Sequence, residues 1–275
     1  MKQFIKNITP PFVYNLLKRI LVKPQIFSPK WNTLSYEPLK GIQMFFDPSG
    51  PWQKKILDST YDDFLFEAVE KVEPAGKIIF DIGAHIGFHT IYFARLVGPS
   101  GKVYAFEPNP KNFERLKLIQ DKNNDIKNII SPVQVAVSDV LGTEEFNTID
   151  DIESGRSSGG FIDTADTIRE RSAYETMGFK KTKVKTVPMD LFSEELGIKD
   201  SPDIIKIDVE GAESLVLLGA RKTIVDKKPI LFMEIHSMLN MINVVSFLSS
   251  ISYDLKILKE ESDGRCFIEA KPKKR

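Results

Sequence analysis

The sequence predicts an α/β fold built on a doubly wound, mostly parallel seven-stranded sheet. Three observations support this prediction: an apolar strand, a glycine-spaced turn and a helix at 78–96; a second strand and helix at 102–123; and further apolar strands at 204–207 and 231–236. Buried parallel strands read as continuous apolar runs and need crossover connections between them. The order therefore indicates successive βα units, followed by an antiparallel hairpin that turns at Asp263–Gly264.

Each element follows from a local pattern. Apolar runs bounded by turn residues predict strands at 78–80, 102–106, 133–137, 204–207 and 231–236, and alternation predicts an edge strand at 183–187 that Pro188 stops. Apolar residues at helical spacing predict helices over 59–69, 90–96, 111–123 and 240–249. In the helix at 111–123, Asn109 is the expected N-cap and Pro110 the first helical residue.

A basic extension at 1–55 precedes the main domain, which we place at 56–270 with an insertion at about 140–200 and a basic tail at 271–275. Up to Tyr36 the extension has lysines and an arginine but no acidic residue, and apolar residues from Phe12 to Leu21 predict an amphipathic helix. Such a helix packs on its own domain or a partner subunit, or lies on an anionic membrane surface.

Composition limits the partners of this chain. The 38 basic residues balance the 38 acidic ones, so no overall field attracts nucleic acid, and a small-molecule partner is expected. Cys266 is the single cysteine, which excludes an intrachain disulfide and thiolate-rich metal sites. A reducing, cytoplasmic compartment fits this cysteine usage best.

The turn after the first strand predicts a small-molecule site. Gly83 and Gly87 carry no side chain where a ligand could approach the backbone, and the helix after them points its N-terminal amides at the same place. A dinucleotide turn starting at Gly83 would need glycine where His85 and Phe88 stand. Asp81 would repel a pyrophosphate but attract an ammonium or sulfonium group, which is the charge pattern of S-adenosylmethionine.

The second strand supplies another acidic residue at its end. Glu107 follows Asp81 at a spacing comparable to the roughly 20-residue offset at which an acid meets ribose hydroxyls in nucleoside-binding βαβ units. A carboxylate can accept two hydrogen bonds from a cis-diol. We therefore expect Glu107 to bind the ribose of the ligand.

Four segments together resemble the FkbM-type methyltransferases over about residues 56 to 260. They are Phe80–Gly87, Phe106–Pro108, Val135–Asp139 and Lys206–Glu213, and the D-V-E-G-A-E block in the last is the most specific. The resemblance implies a class I, Rossmann-like methyltransferase fold and transfer of a methyl group from S-adenosylmethionine to a hydroxyl. The acceptor it implies is a small molecule or glycan, most often a sugar.

The resemblance also implies cofactor-binding roles at matching positions. Asp81 would contact the methionine ammonium, and Ser138 and Asp139 the adenine amino group. Asp208 would face the transferred methyl. The full expected cofactor set is Asp81, Gly83, Ala84, Gly87, Glu107, Ser138, Asp139 and Asp208.

Three residues are candidates for the catalytic acid–base chemistry: His236, Asp208 and Glu210. An imidazole accepts a proton near neutral pH, so His236 is the first candidate base, with Glu234 beside it. Asp208 competes for that role. Glu210 and Glu213 could hold substrate hydroxyls, or bind a divalent cation with Asp208, although the sequence alone assigns no metal.

The insertion carries the expected substrate selectivity. Its polar segment Ser154–Gly160 is typical of a lid or a surface loop, and Arg156 could meet an anionic substrate group. The expected substrate-binding residues are therefore Arg156, Glu213 and Glu234.

Two alternatives of other classes remain open at this point. One is an NAD-dependent oxidoreductase, which His85 and Phe88 disfavour. The other is a catalytically silent scaffold domain, which the combination of Asp81, Gly83, Gly87 and Glu107 disfavours.

Overall fold

The structure is a computed structural model that describes residues 28–148, 160–162, 180–262 and 264–273. The predicted N-terminal helix, Arg156 and Asp263 lie outside these residues. Across the described ranges, no helix is long and apolar enough to span a bilayer.

The strands in chain order are β1 (Lys30–Thr33), β2 (Gln43–Phe46), β3 (Ile78–Ile82), β4 (Lys102–Phe106), β5 (Ile130–Val133), β6 (Ala136–Val137), β7 (Gly142–Thr148), β8 (Phe161–Ile162), β9 (Lys180–Val187), β10 (Ile204–Ile207), β11 (Ile230–Ile235), β12 (Tyr253–Glu260) and β13 (Cys266–Pro272). The helices are α1 (Pro51–Leu57), α2 (Asp63–Glu70), α3 (Phe88–Val97), α4 (Pro110–Lys122), α5 (Phe192–Glu195), α6 (Glu213–Gly219), α7 (Arg221–Lys227) and α8 (Met238–Ser250). A 3₁₀ turn at Met189–Leu191 precedes α5.

The central sheet has seven strands in the order β12-β13-β11-β10-β3-β4-β5, which confirms the predicted fold class. Strands β5, β4, β3, β10 and β11 are parallel, and β13 pairs antiparallel with both β11 and β12. The chain moves outward from β3 through β4 to β5 and later resumes on the other side at β10. The strand order therefore reverses between β3 and β10, and open α/β sheets bind ligands at such a switch point.

Two apolar layers cover the two faces of the sheet. Alternate residues of β3 point to opposite faces, so Ile79 packs with α2, α3 and α4, whereas Phe80 packs with α6, α7 and α8. Both side chains are almost fully buried. Helices on both faces explain why β3 and β10 are apolar without alternation.

The predicted strand at 133–137 is wrong in its bounds, because the chain leaves the central sheet within it. Pro132 lies inside β5, where it pairs with Ala105, and Gln134 is exposed. Ala136 and Val137 form β6, which belongs to a second sheet of order β6-β9-β7-β8. Within that sheet β9 lies between β6 and β7, so the predicted edge strand at 183–187 is an interior one that starts at Lys180.

Several element boundaries also differ from the sequence prediction. The predicted helix from Ser59 begins at Asp63, and Ser59 has a left-handed φ of 59°. Helix α1 was not predicted. It begins after Gly50 with a proline in its first turn, a favourable helix start. Helix α8 begins two residues earlier than expected, because the Ser237 hydroxyl accepts a hydrogen bond from the Asn240 amide at 3.1 Å.

Candidate active site

A cavity of about 440 Å³ lies at the carboxyl ends of the parallel strands. The predicted residues that line it are Gly83, Glu107, Asp208, Glu210 and Glu234. Further walls come from α1 and the loop after it, from Val135–Val137, and from the β12–β13 hairpin. The cavity therefore lies where the strand order predicts a ligand site.

The two glycines of the first turn are required by the protein's own packing. A Cβ on Gly83 would lie 1.8 Å from the Asp208 carbonyl oxygen, and one on Gly87 would lie 2.3 Å from Leu116 Cδ1. Both glycines have left-handed φ angles, 79° and 89°. The expectation that they make room for a ligand is thus corrected, because Asp208 and Leu116 occupy that space, and only Gly83 also borders the cavity.

Asp81 is fully buried and does not line the cavity. Its Oδ2 accepts a hydrogen bond from the Thr90 hydroxyl at 2.6 Å, and its Oδ1 lies 3.2 Å from Lys206 Nζ. Direct contact between Asp81 and a ligand ammonium group, expected from the sequence, therefore disagrees with the structure. The carboxylate instead acts on the site through Lys206.

Lys206 joins the first strand to the end of the neighbouring strand. Its Nζ donates a hydrogen bond to the Gly83 carbonyl at 2.9 Å and lies 3.5 Å from Asp208 Oδ2. Burial opposes the charge of Lys206, but the charges of Asp81 and Asp208 outweigh burial and raise its pKa. Lys206 was missed from the sequence, although a lone lysine in an isoleucine strand was a usable signal.

Glu107 lies at the cavity wall with both oxygens hydrogen-bonded to backbone. Its Oε2 accepts from the His85 amide at 2.7 Å, and its Oε1 accepts from the Asn109 amide at 2.9 Å. Burial raises the pKa of Glu107 to about 7, although these hydrogen bonds act against the shift. Each carboxylate oxygen has a second lone pair, so the group can still accept hydrogen bonds from a ligand.

Three other residues of the predicted cofactor set lie away from the cavity. Ala84 is buried and its amide donates to the Phe106 carbonyl at 3.0 Å. Ser138 is buried beside the exposed Asp139, with 3.2 Å between Ser138 Oγ and Asp139 Oδ1. Residues 135–137 line the cavity, whereas Ser138 and Asp139 do not, so the cavity wall at this strand end lies one to three residues earlier than expected.

Buried hydrogen bonds fix the loop after β10. Glu213 is fully buried, and its Oε1 accepts from the Gly211 amide at 2.9 Å and contacts His236 Nδ1 at 2.8 Å. The Asn240 side-chain amide donates to the Gly211 carbonyl at 2.7 Å. The expected substrate contact of Glu213 therefore disagrees with the structure, which gives this residue a positioning role.

His236 does not line the cavity and lies within 4 Å of four carboxyl groups, those of Asp208, Glu210, Glu213 and Glu234. Burial lowers the pKa of His236, but the hydrogen bond to Glu213 and the charge of Glu210 outweigh burial and raise the pKa to about 10. The His236 side chain does not line the cavity, and its raised pKa favours the protonated ring. Both observations argue against the expectation that His236 takes a proton from the acceptor.

Three carboxylates do face the cavity at this end. Burial pushes the pKa of Asp208 upward, but Lys206 outweighs it and holds that pKa below its usual range. Burial raises the pKa of Glu210, and it raises the pKa of Glu234 to about 8. Glu210 also has a left-handed φ of 54°, a strained conformation of the kind found at functional sites.

Aromatic and basic side chains that the sequence analysis did not identify complete the cavity. Trp52 and Tyr61 line it with ring centroids 5.9 Å apart, and Trp52 lies at the same distance from the His85 ring. Burial raises the pKa of Tyr61 well above its usual value, helped by the nearby charge of Asp208. Arg265 also lines the cavity, with Nη1 2.6 Å from Glu234 Oε1.

Comparisons with known proteins match this chain to methyltransferases. A family model described as "Methyltransferase FkbM domain" matches residues 81–255. The hexuronic acid methyltransferase AglP of Haloferax volcanii is 25% identical over 186 residues, which cover 68% of this chain and 67% of AglP. The 2-O-methyltransferase NoeI of Sinorhizobium fredii is 28% identical over 163 residues, which cover 58% of this chain and 63% of NoeI.

Solved structures also align with this chain. The crystal structure of methyltransferase FkbM from Methylobacillus flagellatus aligns with a TM-score of 0.49 at 16% identity, over 79% of this chain and 52% of that chain. The chain thus spans about two thirds of the curated relatives it matches and about half of this one.

Proposed function

Because the chain belongs to the FkbM methyltransferase family, we propose that it transfers a methyl group from S-adenosylmethionine to a hydroxyl of a sugar, free or within a glycan. One observation carries the choice of acceptor: carboxylates and aromatic rings line the same cavity as the residues that fit the cofactor. Membership in this family excludes the oxidoreductase alternative.

The residues around the cavity fit S-adenosylmethionine. Glu107 is a buried acid with free acceptor capacity, which suits ribose hydroxyls, and the apolar segment 135–137 suits the faces of an adenine ring. Asp208, Glu210 and Glu234 make the other end of the cavity acidic, which suits a positively charged sulfonium. When bound, the cofactor supplies a methyl group activated by its positively charged sulfur.

Glu210 is the residue we propose to take the proton of the acceptor hydroxyl. It lines the cavity, its side chain is 38% exposed, and its raised pKa brings it closer to the operating pH than that of an ordinary glutamate. Asp208, held ionised beside Lys206, would orient the hydroxyl rather than take its proton. Positioning of the acceptor supplies much of the rate in such a transfer.

Trp52 and Tyr61 are the residues we propose to bind the acceptor ring. A sugar presents an apolar ring face and polar edges, so an aromatic surface next to carboxylates can hold both. The name of AglP identifies a hexuronic acid as the acceptor of that relative. Three basic side chains also line this cavity: Lys55, Lys259 and Arg265. Because they could attract a negatively charged sugar, uronic acids are included among the acceptors tested below.

The test combines cofactor binding with an acceptor screen. Calorimetry with S-adenosylhomocysteine is expected to show saturable binding. Incubation with isotope-labelled S-adenosylmethionine and neutral sugars, uronic acids, nucleotide sugars and lipid-linked sugars, followed by mass spectrometry, is expected to show a labelled methyl on a sugar hydroxyl. Intact cofactor binding with no sugar methylated would reject the acceptor, whereas absent cofactor binding would reject the transfer reaction itself.

The chain offers a matched tryptophan pair as a control. Trp52→Ala is expected to lower kcat/KM for the sugar by at least tenfold with unchanged affinity for S-adenosylhomocysteine. Trp31 lies on β1 and packs against Phe45, outside the cavity, so Trp31→Ala should change neither value. Equal effects of the two substitutions on kcat/KM would contradict the proposed acceptor site.

A further inference from the structure

His236 is held in one orientation by a buried acid. Its Nδ1 lies 2.8 Å from Glu213 Oε1, and Glu213 is fully shielded from solvent. The Gly211 amide donates to the same oxygen at 2.9 Å, which fixes the carboxylate in turn. Since Nδ1 donates to Glu213, the other ring nitrogen, Nε2, points away from it toward the cavity wall.

The Nε2 atom is buried without a hydrogen-bond partner, in a side chain that is nine-tenths buried. It faces three carboxylates, at 3.4 Å from Glu210 Oε2, 3.7 Å from Glu234 Oε1 and 3.9 Å from Asp208 Oδ1. Two ligand atoms that each lie about 2.1 Å from one ion are roughly 3–4 Å apart. The spacing around Nε2 is thus that of ligands arranged about a common centre.

Charge also favours a cation at this point. The group contains the carboxyl groups of Asp81, Asp208, Glu210, Glu213 and Glu234, against three basic side chains, Lys206, Arg265 and His236. The two oxygens of Asp208 face different neighbours: Oδ2 lies beside Lys206, and Oδ1 lies beside His236. Oδ1 is therefore directed at the same space as Nε2.

We propose that a divalent transition-metal ion binds between Asp208, Glu234 and His236, where it displaces the Nε2 proton of His236, which is released to solvent. One oxygen or nitrogen of each of these residues lies within 4.8 Å of the others. A metal-bound histidine typically donates its second ring nitrogen to a carboxylate, which is the role Glu213 has here. A mixed set of imidazole and carboxylate ligands suits Mn²⁺ or Zn²⁺ better than Mg²⁺ or Ca²⁺.

The ligand set differs from the one considered from sequence alone, in which Asp208 was grouped with Glu210 and Glu213. Glu210 stays beside the ion, and Arg265 competes with the ion for Glu234. The use of the site rests on the proposed function: an ion here would hold the acceptor oxygen and increase the acidity of its hydroxyl next to Glu210. The existence of the site does not depend on that function.

The test measures Mn²⁺ binding to the chelator-treated full chain by electron paramagnetic resonance and calorimetry. We expect one saturable site in the wild type, and at least tenfold weaker binding after Glu234→Gln or His236→Gln. Glu213→Gln is expected to weaken binding about 10–100-fold through the orientation of His236. Asp254 lies at the opposite end of the sheet, beside Lys271, so Asp254→Asn should leave Mn²⁺ affinity unchanged.

The wild-type measurement decides the proposal even if a variant fails to fold. No saturable Mn²⁺ binding up to millimolar concentration would overturn it, as would unchanged affinity in folded Glu234→Gln and His236→Gln. S-adenosylhomocysteine binding and methyl transfer are measured on the same preparations. Sugar methylation without Mn²⁺ binding would reject the metal site and keep the proposed function. Mn²⁺ binding without sugar methylation would keep the metal site and reject the proposed function.

Discussion

Lys206 lies in a strand otherwise made of isoleucine, and its ammonium group joins Asp81 to Asp208 at distances of 3.2 and 3.5 Å. Lys206→Met keeps much of the volume but leaves Asp81 buried without its cation. We expect a loss of roughly 3–5 kcal/mol in the free energy of unfolding, measured with urea. The double variant Asp81→Asn with Lys206→Met should recover most of that loss.

A surface lysine provides the control for this variant. Lys271 is 41% exposed and pairs with Glu269, so Lys271→Met should cost less than about 1 kcal/mol. If Lys271→Met and Lys206→Met lowered the free energy of unfolding by similar amounts, burial of the ion pair would not be the cause of the loss in Lys206→Met.

Glu107 should make cofactor affinity depend on pH. Burial raises its pKa to about 7 in the free protein. Ribose hydroxyls bound to the carboxylate favour its ionised form, so the pKa falls on binding. Affinity for S-adenosylhomocysteine should therefore be constant above about pH 7 and fall below it, by up to about tenfold per pH unit. Calorimetry from pH 5.5 to 8.5 measures this affinity. The Glu107→Gln variant should bind S-adenosylhomocysteine more weakly, with an affinity that does not change with pH.

Glu210 should affect the chemical step alone. Loss of a general base lowers turnover by about 10²–10⁴-fold, so Glu210→Gln should reduce kcat by that factor with S-adenosylhomocysteine affinity retained. Glu145 lies on β7 and pairs with Lys181 at the surface, so Glu145→Gln is the matched control with normal kcat. Normal kcat in Glu210→Gln would assign the proton transfer to another group.

The limits of the sequence prediction at this scale come from neighbours that are distant in the chain. An acid at the end of an apolar run was enough to place Asp81 and Glu107 at the ends of adjacent strands. The predicted contact of Asp81 failed because Lys206, from another strand, fills the space beside it. Most of the acidic neighbours that raise the pKa of His236 come from residues 208–213, after β10, which are more than 20 residues away along the chain.

Helix α6 packs so closely on β6 that its last residue cannot carry a side chain. A Cβ on Gly219 would lie 1.9 Å from the Ser138 carbonyl oxygen. Alanine normally stabilises a helix by about 1 kcal/mol over glycine, but here the clash is with backbone. We expect Gly219→Ala to lower the free energy of unfolding by about 1–3 kcal/mol in urea titrations.

Gly142 tests whether glycine replacement as such is harmful. A Cβ on Gly142 would meet its nearest atom, Thr186 Oγ1, at an ordinary 3.9 Å. Gly142→Ala should therefore leave stability within about 0.5 kcal/mol of the wild type. A neutral Gly219→Ala would mean that α6 can move away from Ser138.

The bounds of a strand could be predicted from sequence where the whole strand has the same degree of burial. Strands β4 and β10 are buried on both faces, so their apolar runs gave the observed bounds 102–106 and 204–207. The segment 133–137 looks equally apolar, but the chain changes sheets at Gln134, which only tertiary packing reveals. Helix α1 was missed because its 7 residues make too few turns for a helical periodicity to be recognised.

At the scale of the whole molecule, cofactor binding should stabilise the folded state. A ligand at 100 times its dissociation constant adds about 2.7 kcal/mol, so saturating S-adenosylhomocysteine should raise the Tm by several degrees in thermal unfolding. NAD⁺ at the same concentration is the control and should give no shift. A shift with NAD⁺ alone would contradict the cofactor assignment. Membrane contact through the basic extension stays a prediction from sequence.

The reversal of strand order between β3 and β10 also divides the cavity between two sets of segments. Glu107 and residues 135–137, which suit the ribose and the adenine of the cofactor, follow β4 and β5, whereas Asp208, Glu234 and Arg265 lie at the ends of strands on the other side of the reversal. Mutations on one side can therefore accumulate with little effect on the other. Acceptor preference can diverge among relatives while the methyl donor stays the same, and exchange of the β12–β13 hairpin between them is a route to new specificity.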